Sequence, residues 1–167
     1  MFPLGDLGPC QVKFNSVDLG YTHGGVKFRD EVLTVDILAD QSGETPVNTV
    51  TKGRKCEAEV PLTASSLTIL ESIVAGATAG ASNLVVANTV GKDGRTNSHD
   101  LILTRIVDNE PSTDPDETLT IFVAFPASKI EWGFDNSGQR VTLVTFKVFP
   151  DDASGNVGNM WRVGPAA

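Results

Sequence analysis

The chain has 167 residues, 40% of them apolar and 20% charged, with 13 Lys and Arg against 21 Asp and Glu for a formal charge of −8. Those figures fit one globular domain with a sizeable core and argue against overall disorder. The acidic balance argues against a nucleic-acid grip built on a basic face, though not against a wall past which DNA slides without sticking. Cys10 and Cys56 allow one bridge at most, and both are expected to be reduced and buried. The opening MFPLGDLGPCQVKF lacks a basic n-region and a continuous apolar run, and no stretch approaches the ~18 apolar residues of a membrane span. A soluble, non-exported protein is the expectation.

In chain order, 11–15 and 17–22 read as short extended pieces around a tight turn, and the glycines of THGG (22–25) as a turn needing positive φ. From Val26 the alternation is clean, with Val26 and Phe28 on one face and Lys27 and Arg29 on the other. At Asp30–Glu31 the phase changes, and Leu33, Val35 and Ile37 become the apolar set opposite Thr34 and Asp36. Such a change implies a β-bulge or a strand passing between two packing environments. ADQSGET (39–45) reads as the loop at the tip, pivoting on Gly43. The return arm carries Val47 and Val50, and RKCEAEVP (54–61) forms a further strand with Cys56, Ala58 and Val60 inward, stopped by Pro61.

A helix of about ten residues follows, with Leu67, Leu70 and Ile73 or Val74 as its buried stripe. Thr63 or Ser65 is its expected cap and Gly76 its terminator. Strands then resume at 82–90, 99–107, 118–126 and 140–150, with GKDGRTNS (91–98) as a hairpin turn and DNEPSTDPDE (108–117) as an acidic loop. The strand at 140–150 is apolar on both faces, which suits the centre of a sandwich or a subunit interface. The tail 151–167 has the composition of an arm, and its Met160 and Trp161 are costly to leave in water. The expected fold is mainly β: an antiparallel β-sandwich or barrel with one flanking α-helix and a long extended hairpin.

Reactive chemistry is hard to find. His23 lies in a glycine turn and His99 opens a strand, and no nucleophile elbow accompanies them. Cys10, Cys56, His23 and His99 lack the paired short spacing of a zinc site. Asp108, Glu110, Asp114, Asp116 and Glu117 lack the spacing of a calcium loop, and a solvated acidic loop is the simpler reading. GKDGRTN is no phosphate loop, since no helix follows it. Glu131 and Asp135 beside Trp132 are a weak carboxylate pair. The expectation is a non-enzyme that needs no metal or cofactor and works through its surfaces.

The segment 26–50 is longer than a compact domain of this size needs, and such an arm can pair edge to edge with a neighbouring copy. Closed repetition of that pairing makes a ring, and stacking makes a tube. Leu19–Gly20–Tyr21–Thr22–His23–Gly24–Gly25–Val26, then Asp36, Thr45–Pro46–Val47–Asn48 and Thr51–Lys52–Gly53, resembles the N-terminal half of the tail tube proteins of long-tailed bacteriophages. CEAEVPLTASSLTIL is similar to that family's strand and the residues leading into its helix, so the likeness covers about residues 12–75.

The resemblance implies a sandwich domain at 1–150 and an arm at 151–167 that docks on a neighbouring subunit. It implies six-copy rings stacked into a hollow tube that houses the tape-measure protein and lets DNA pass without specific binding. Tail terminator and distal tail proteins would be further partners. The tube would form in the host cytoplasm and reside in the virion tail, with no membrane partner. Under that resemblance residues 26–38 and 47–60 make inner-barrel hairpins, and Asp36, Glu57 and Glu59 face the lumen. Asp40, Gln41, Ser42, Gly43 and Glu44 then reach the adjacent ring, and Trp161 packs between subunits. A tail terminator, baseplate or decoration β-sandwich of the virion is the alternative.

Overall fold

The computed structural model describes residues 8–63, 66–127, 129–132 and 140–165. The chain begins with β1 (Cys10–Phe14) and β2 (Val17–Asp18), joined through Asn15 and Ser16, both at positive φ as a two-residue hairpin turn requires. After the turn at Gly24 and Gly25 come β3 (Lys27–Leu38) and β4 (Pro46–Leu62), the longest elements. Next are α1 (Leu67–Ile73), β5 (Ala77–Ala79), β6 (Leu84–Val86), β7 (His99–Val107) and β8 (Glu110–Pro111). The series ends with β9 (Thr118–Pro126), β10 (Thr142–Val148) and β11 (Trp161–Val163).

The protein is mainly β, with two antiparallel sheets. The main one has nine strands in the order β2-β1-β7-β9-β10-β4-β3, with β8 beside β7 and β11 beside β9; β5 and β6 form the second. The alternation in 99–107 places Leu101 and Leu103 on the inner face. In 118–126 a register shift moves the buried parity from Ile121 to Ala124, and these four are buried with Val144, Phe146 and Val148 of β10. Phe14 of β1 meets Phe146 of β10 at 5.1 Å between ring centroids. These strands are separated by two others in the ladder, so the sheet curls over its own core. One end of the curl is laced by the Thr22–Leu62 bridge, His23 N–H to Pro61 carbonyl and Thr63 N–H to Tyr21 carbonyl.

Among the described residues no sheet closes into a barrel, which corrects that part of the expectation. The physical reason is the path of β3. Its outer edge is not taken up by β2, because β3 follows β4 away from the body instead of across to the other edge.

Several boundaries also differ. β4 is one strand, not two, and runs through Pro61 to Leu62. Pro61 accepts from His23 on the side away from β10, so its missing N–H faces that side too and the β10 ladder loses nothing. The helix has seven residues, capped by the Ser66 hydroxyl, which accepts from Ile69 N–H. Thr63 is in the extended segment and Ser65 lies outside the described residues, as does Asp135. Ile69, Leu70 and Ile73 form the buried stripe, so a piece too short to persist alone is held by packing.

Only Leu84–Val86 of 82–90 is strand, and it pairs with β5; 91–98 is therefore a connection with a 3-10 turn at Arg95–Asn97, not a hairpin between 82–90 and 99–107. The acidic 108–117 segment is largely ordered by β8 and a 3-10 turn at Pro115–Glu117. Cys56 is buried as expected, whereas Cys10 is only half-buried at the start of an edge-proximal strand; both thiols are free.

The tail joins the main sheet. β10 and β11 lie end to end on one side of β9, pairing with Ala124–Pro126 and Leu119–Ile121 respectively. They form one strand interrupted by the excursion 149–160, which is closed by Asp151 N–H to Asn159 carbonyl and Gly158 N–H to Asp151 carbonyl. The Arg95 guanidinium, at 3.2 Å from Asp152, ties that excursion to the body.

Candidate assembly surface

The β3–β4 pair is a ribbon that outruns its sheet. β10 pairs with β4 from Leu62 only as far as Glu57, so among the described residues Pro46–Cys56 have β3 as their ladder neighbour. At 3.4 Å per residue that free length is about 30 Å. Directly opposite residues share a face, and the register therefore sorts the ribbon into two faces.

On the inner face Phe28 opposes Ala58, Asp30 opposes Cys56 and Val32 opposes Arg54; beyond them Thr34 opposes Thr51 and Asp36 opposes Thr49. Near the body this face is core. Ala58 and Cys56 are buried, and Phe28 meets Trp161 edge-on at 5.6 Å. Farther out it turns polar, apart from Val32 and Leu38, and the Thr49 hydroxyl donates to Asp36 at 2.8 Å.

The outer face runs the other way. Near the body it is a charged lattice in which Arg29 pairs with Glu59 at 2.6 Å and Lys55 with Glu57 at 3.0 Å. Beyond Gly53 it becomes apolar, with Leu33, then Val35 opposite Val50, then Ile37. The polarity of the ribbon thus inverts along its length. The inversion coincides with a register shift between Leu33 and Thr34, where Lys52 is the extra residue on β4; a second shift leaves Val47 extra near the tip. Of the two alternatives raised by the phase change, the structure bears out the second: β3 keeps its parity and passes between environments, while the bulge lies on its partner strand.

Seven of the sixteen exposed large apolar side chains among the described residues belong to this ribbon, at 39–60% exposure. Segment 34–50 carries Asp36, Asp40 and Glu44 and no Lys or Arg. The tip is a 3-10 turn at Asp40–Ser42 that ends in Gly43 at φ 60, and none of its residues is buried.

The lumen candidates do not share one face. Glu57 and Glu59 lie on the outer face two residues apart, engaged with Lys55 and Arg29, whereas Asp36 lies on the inner face. Asp40, Gln41, Ser42, Gly43 and Glu44 stand together at the exposed tip. Trp161 is half-buried within its own chain, against Phe28 and beside β9. The reason is geometric: β11 takes the place on β9 that β10 vacates at Val148.

A polar cluster anchors the root of the ribbon. The Asp30 carboxylate is ion-paired with Arg54 and accepts the Cys56 thiol at 3.0 Å, and Met160 lies 3.9 Å from that sulfur. Burial, and then the Asp30 hydrogen bond and charge, push the Cys56 thiol up to about 12. Burial raises the Cys10 thiol as well.

Elsewhere an open cleft of about 500 Å³ between α1, β5 and the start of β7 is lined in part by Glu71, Lys92 and His99. Glu71 accepts from Ala79 N–H, and the His99 ring meets Phe14 edge-on at 5.7 Å. Among the described residues no group of three or more His, Cys, Asp or Glu side chains is placed to hold a metal ion. No helix among the described residues is long and apolar enough to cross a membrane.

The sequence reading missed the fusion of the return arm with strand 54–61, which Gly53 conceals, and the joining of β10 to β11. The excursion 149–160 hides the latter, although Met160 and Trp161 signalled docking. No protein-family model matches the chain, and the search of curated proteins finds no similar sequence.

Proposed function

We propose that this chain is a self-assembling structural protein of the virion tail, whose copies form six-membered rings that stack into a hollow tube. The tube houses the tape-measure protein, meets terminator and distal tail proteins at its ends, and conducts DNA during ejection. The observation that carries the reading is the ribbon. A single chain gains little by holding about 30 Å of two-stranded sheet in solvent, with an apolar outer stripe and a β3 edge that has no partner strand among the described residues. Copies that pair along that edge satisfy its N–H and C=O groups, and a further contact between copies covers the stripe. The resemblance of residues 12–75 to tail tube proteins supports the same reading.

The charge supports conduction. A wall presenting carboxylates and threonines repels a passing polyanion, whereas a basic wall retains it. Asp36 belongs to such a wall if the inner face of the distal ribbon fronts the lumen; Glu57 and Glu59 belong to it if the outer face does. Sedimentation velocity over a concentration series tests the proposal. It predicts species of six copies and larger, and a distribution of single chains at every concentration contradicts it.

A further inference from the structure

Among the described residues the ribbon is one of two places where apolar side chains gather in solvent. The other is the β5–β6 hairpin and the turn after it, where Val85 and Val86 are 59% and 56% exposed and Val90 is 89% exposed. This small sheet has two strands, and among the described residues β6 pairs with β5 alone, leaving an open apolar edge. Consecutive Val85 and Val86 project to opposite faces and both are exposed, while Leu84, on the Val86 side, packs against the core.

The two surfaces differ in charge. The distal ribbon carries Asp36, Asp40 and Glu44 without a cation, while Lys92 stands two residues after Val90, exposed and outside every ion pair found among the described residues. Neither surface covers the other within one chain. A surface that meets a different surface on the next copy makes a head-to-tail contact, the kind that generates rings when it closes.

We propose that the Leu33, Val35, Ile37 and Val50 stripe of one copy seats on the β5–β6 hairpin and Val90 of a second copy, with the acidic tip near Lys92. The inference rests on the self-assembly reading and names the surface that receives the ribbon.

Cysteine pairing tests it. In a Cys10→Ser background, Val35→Cys chains are mixed with Val86→Cys chains under assembling conditions and oxidised with diamide. A disulfide requires Cα atoms within about 7 Å. The expected result is a covalent dimer in that mixture and its absence when Val35→Cys is mixed with Leu143→Cys, an exposed position on β10. Lys92→Glu, on the surface, is expected to raise the concentration needed for assembly, with the difference shrinking as salt rises. Rings or tubes that form without the 35–86 cross-link, or with an equal 35–143 cross-link, overturn this inference and leave the assembly reading standing. Wild-type chains that stay single overturn both.

Discussion

Val35→Asp separates the two roles that a residue of the ribbon can have. Val35 is 50% exposed and faces Val50, itself 48% exposed, across the β3–β4 ladder. Burying a whole valine contributes about 1.5–3 kcal/mol, so covering the exposed half of one such side chain contributes roughly 1 kcal/mol. For the four residues of the stripe the sum is about 4 kcal/mol per contact between copies. Aspartate at this position loses its share and leaves a carboxylate to be desolvated, so association is expected to weaken by at least ~3 kcal/mol, about 100-fold per contact. In the single chain the same change costs one cross-strand pair, about 0.2–1 kcal/mol. Sedimentation velocity and urea unfolding, run on the same samples, measure both effects. The reasoning is refuted if the variant assembles at the wild-type concentration, or if its unfolding free energy drops by several kcal/mol.

Four further outcomes are expected. Phe146→Ala removes a fully buried ring that packs on Phe14 and is expected to cost about 3–5 kcal/mol by urea unfolding; a loss under 1 kcal/mol would contradict the placement of the core. Gly76 sits at φ +81 with an added Cβ only 2.8 Å from the Ala87 carbonyl oxygen, so Gly76→Ala is expected to cost about 1–3 kcal/mol, and an unmoved midpoint would show that the strain is absent. Hydrogen bonding from Ser112, then the Arg105 hydrogen bond and charge, hold the Glu117 carboxyl below its ordinary range. Its stabilising contribution is therefore complete above the ordinary pKa of about 4.3 and is lost as pH falls through the depressed folded value; Glu117→Gln should flatten that acid limb, and an unchanged limb would exclude the linkage. With its thiol pushed up to about 12, Cys56 should resist a thiol reagent at pH 8 until the chain unfolds, and rapid labelling of Cys56 in the folded Cys10→Ser variant would contradict its burial.

Local pattern carried much of this fold. β7 is visible as period-two alternation because one face of it meets the core and the other does not, whereas in β9 a register shift after Ile121 moves the buried parity to Ala124. The inversion of the ribbon was visible too, as the phase change at Asp30–Glu31, since parity reports which face is apolar whatever covers it. Long-range features left no such trace. Nothing local says that β3 leaves the body instead of closing a barrel, or that β11 completes the line of β10 across the excursion 149–160. Pro61 does not end the strand because its missing donor faces the side away from β10, where β3 has not yet begun, so the β10 ladder stays intact. Charge groups Asp36 with Glu57 and Glu59, but charge alone does not reveal that Asp36 and the Glu57–Glu59 pair occupy opposite faces. The acidic tip, by contrast, was legible in ADQSGET, where Gly43 and polar neighbours mark an exposed turn.

Electron microscopy of the purified protein, imaged fresh and again after concentration, tests the central claim most directly. The account predicts hollow rings or tubes whose end views show six-fold symmetry and whose wall consists of this chain. Compact single particles that persist through concentration, with the ribbon exposed and unpaired, would contradict it.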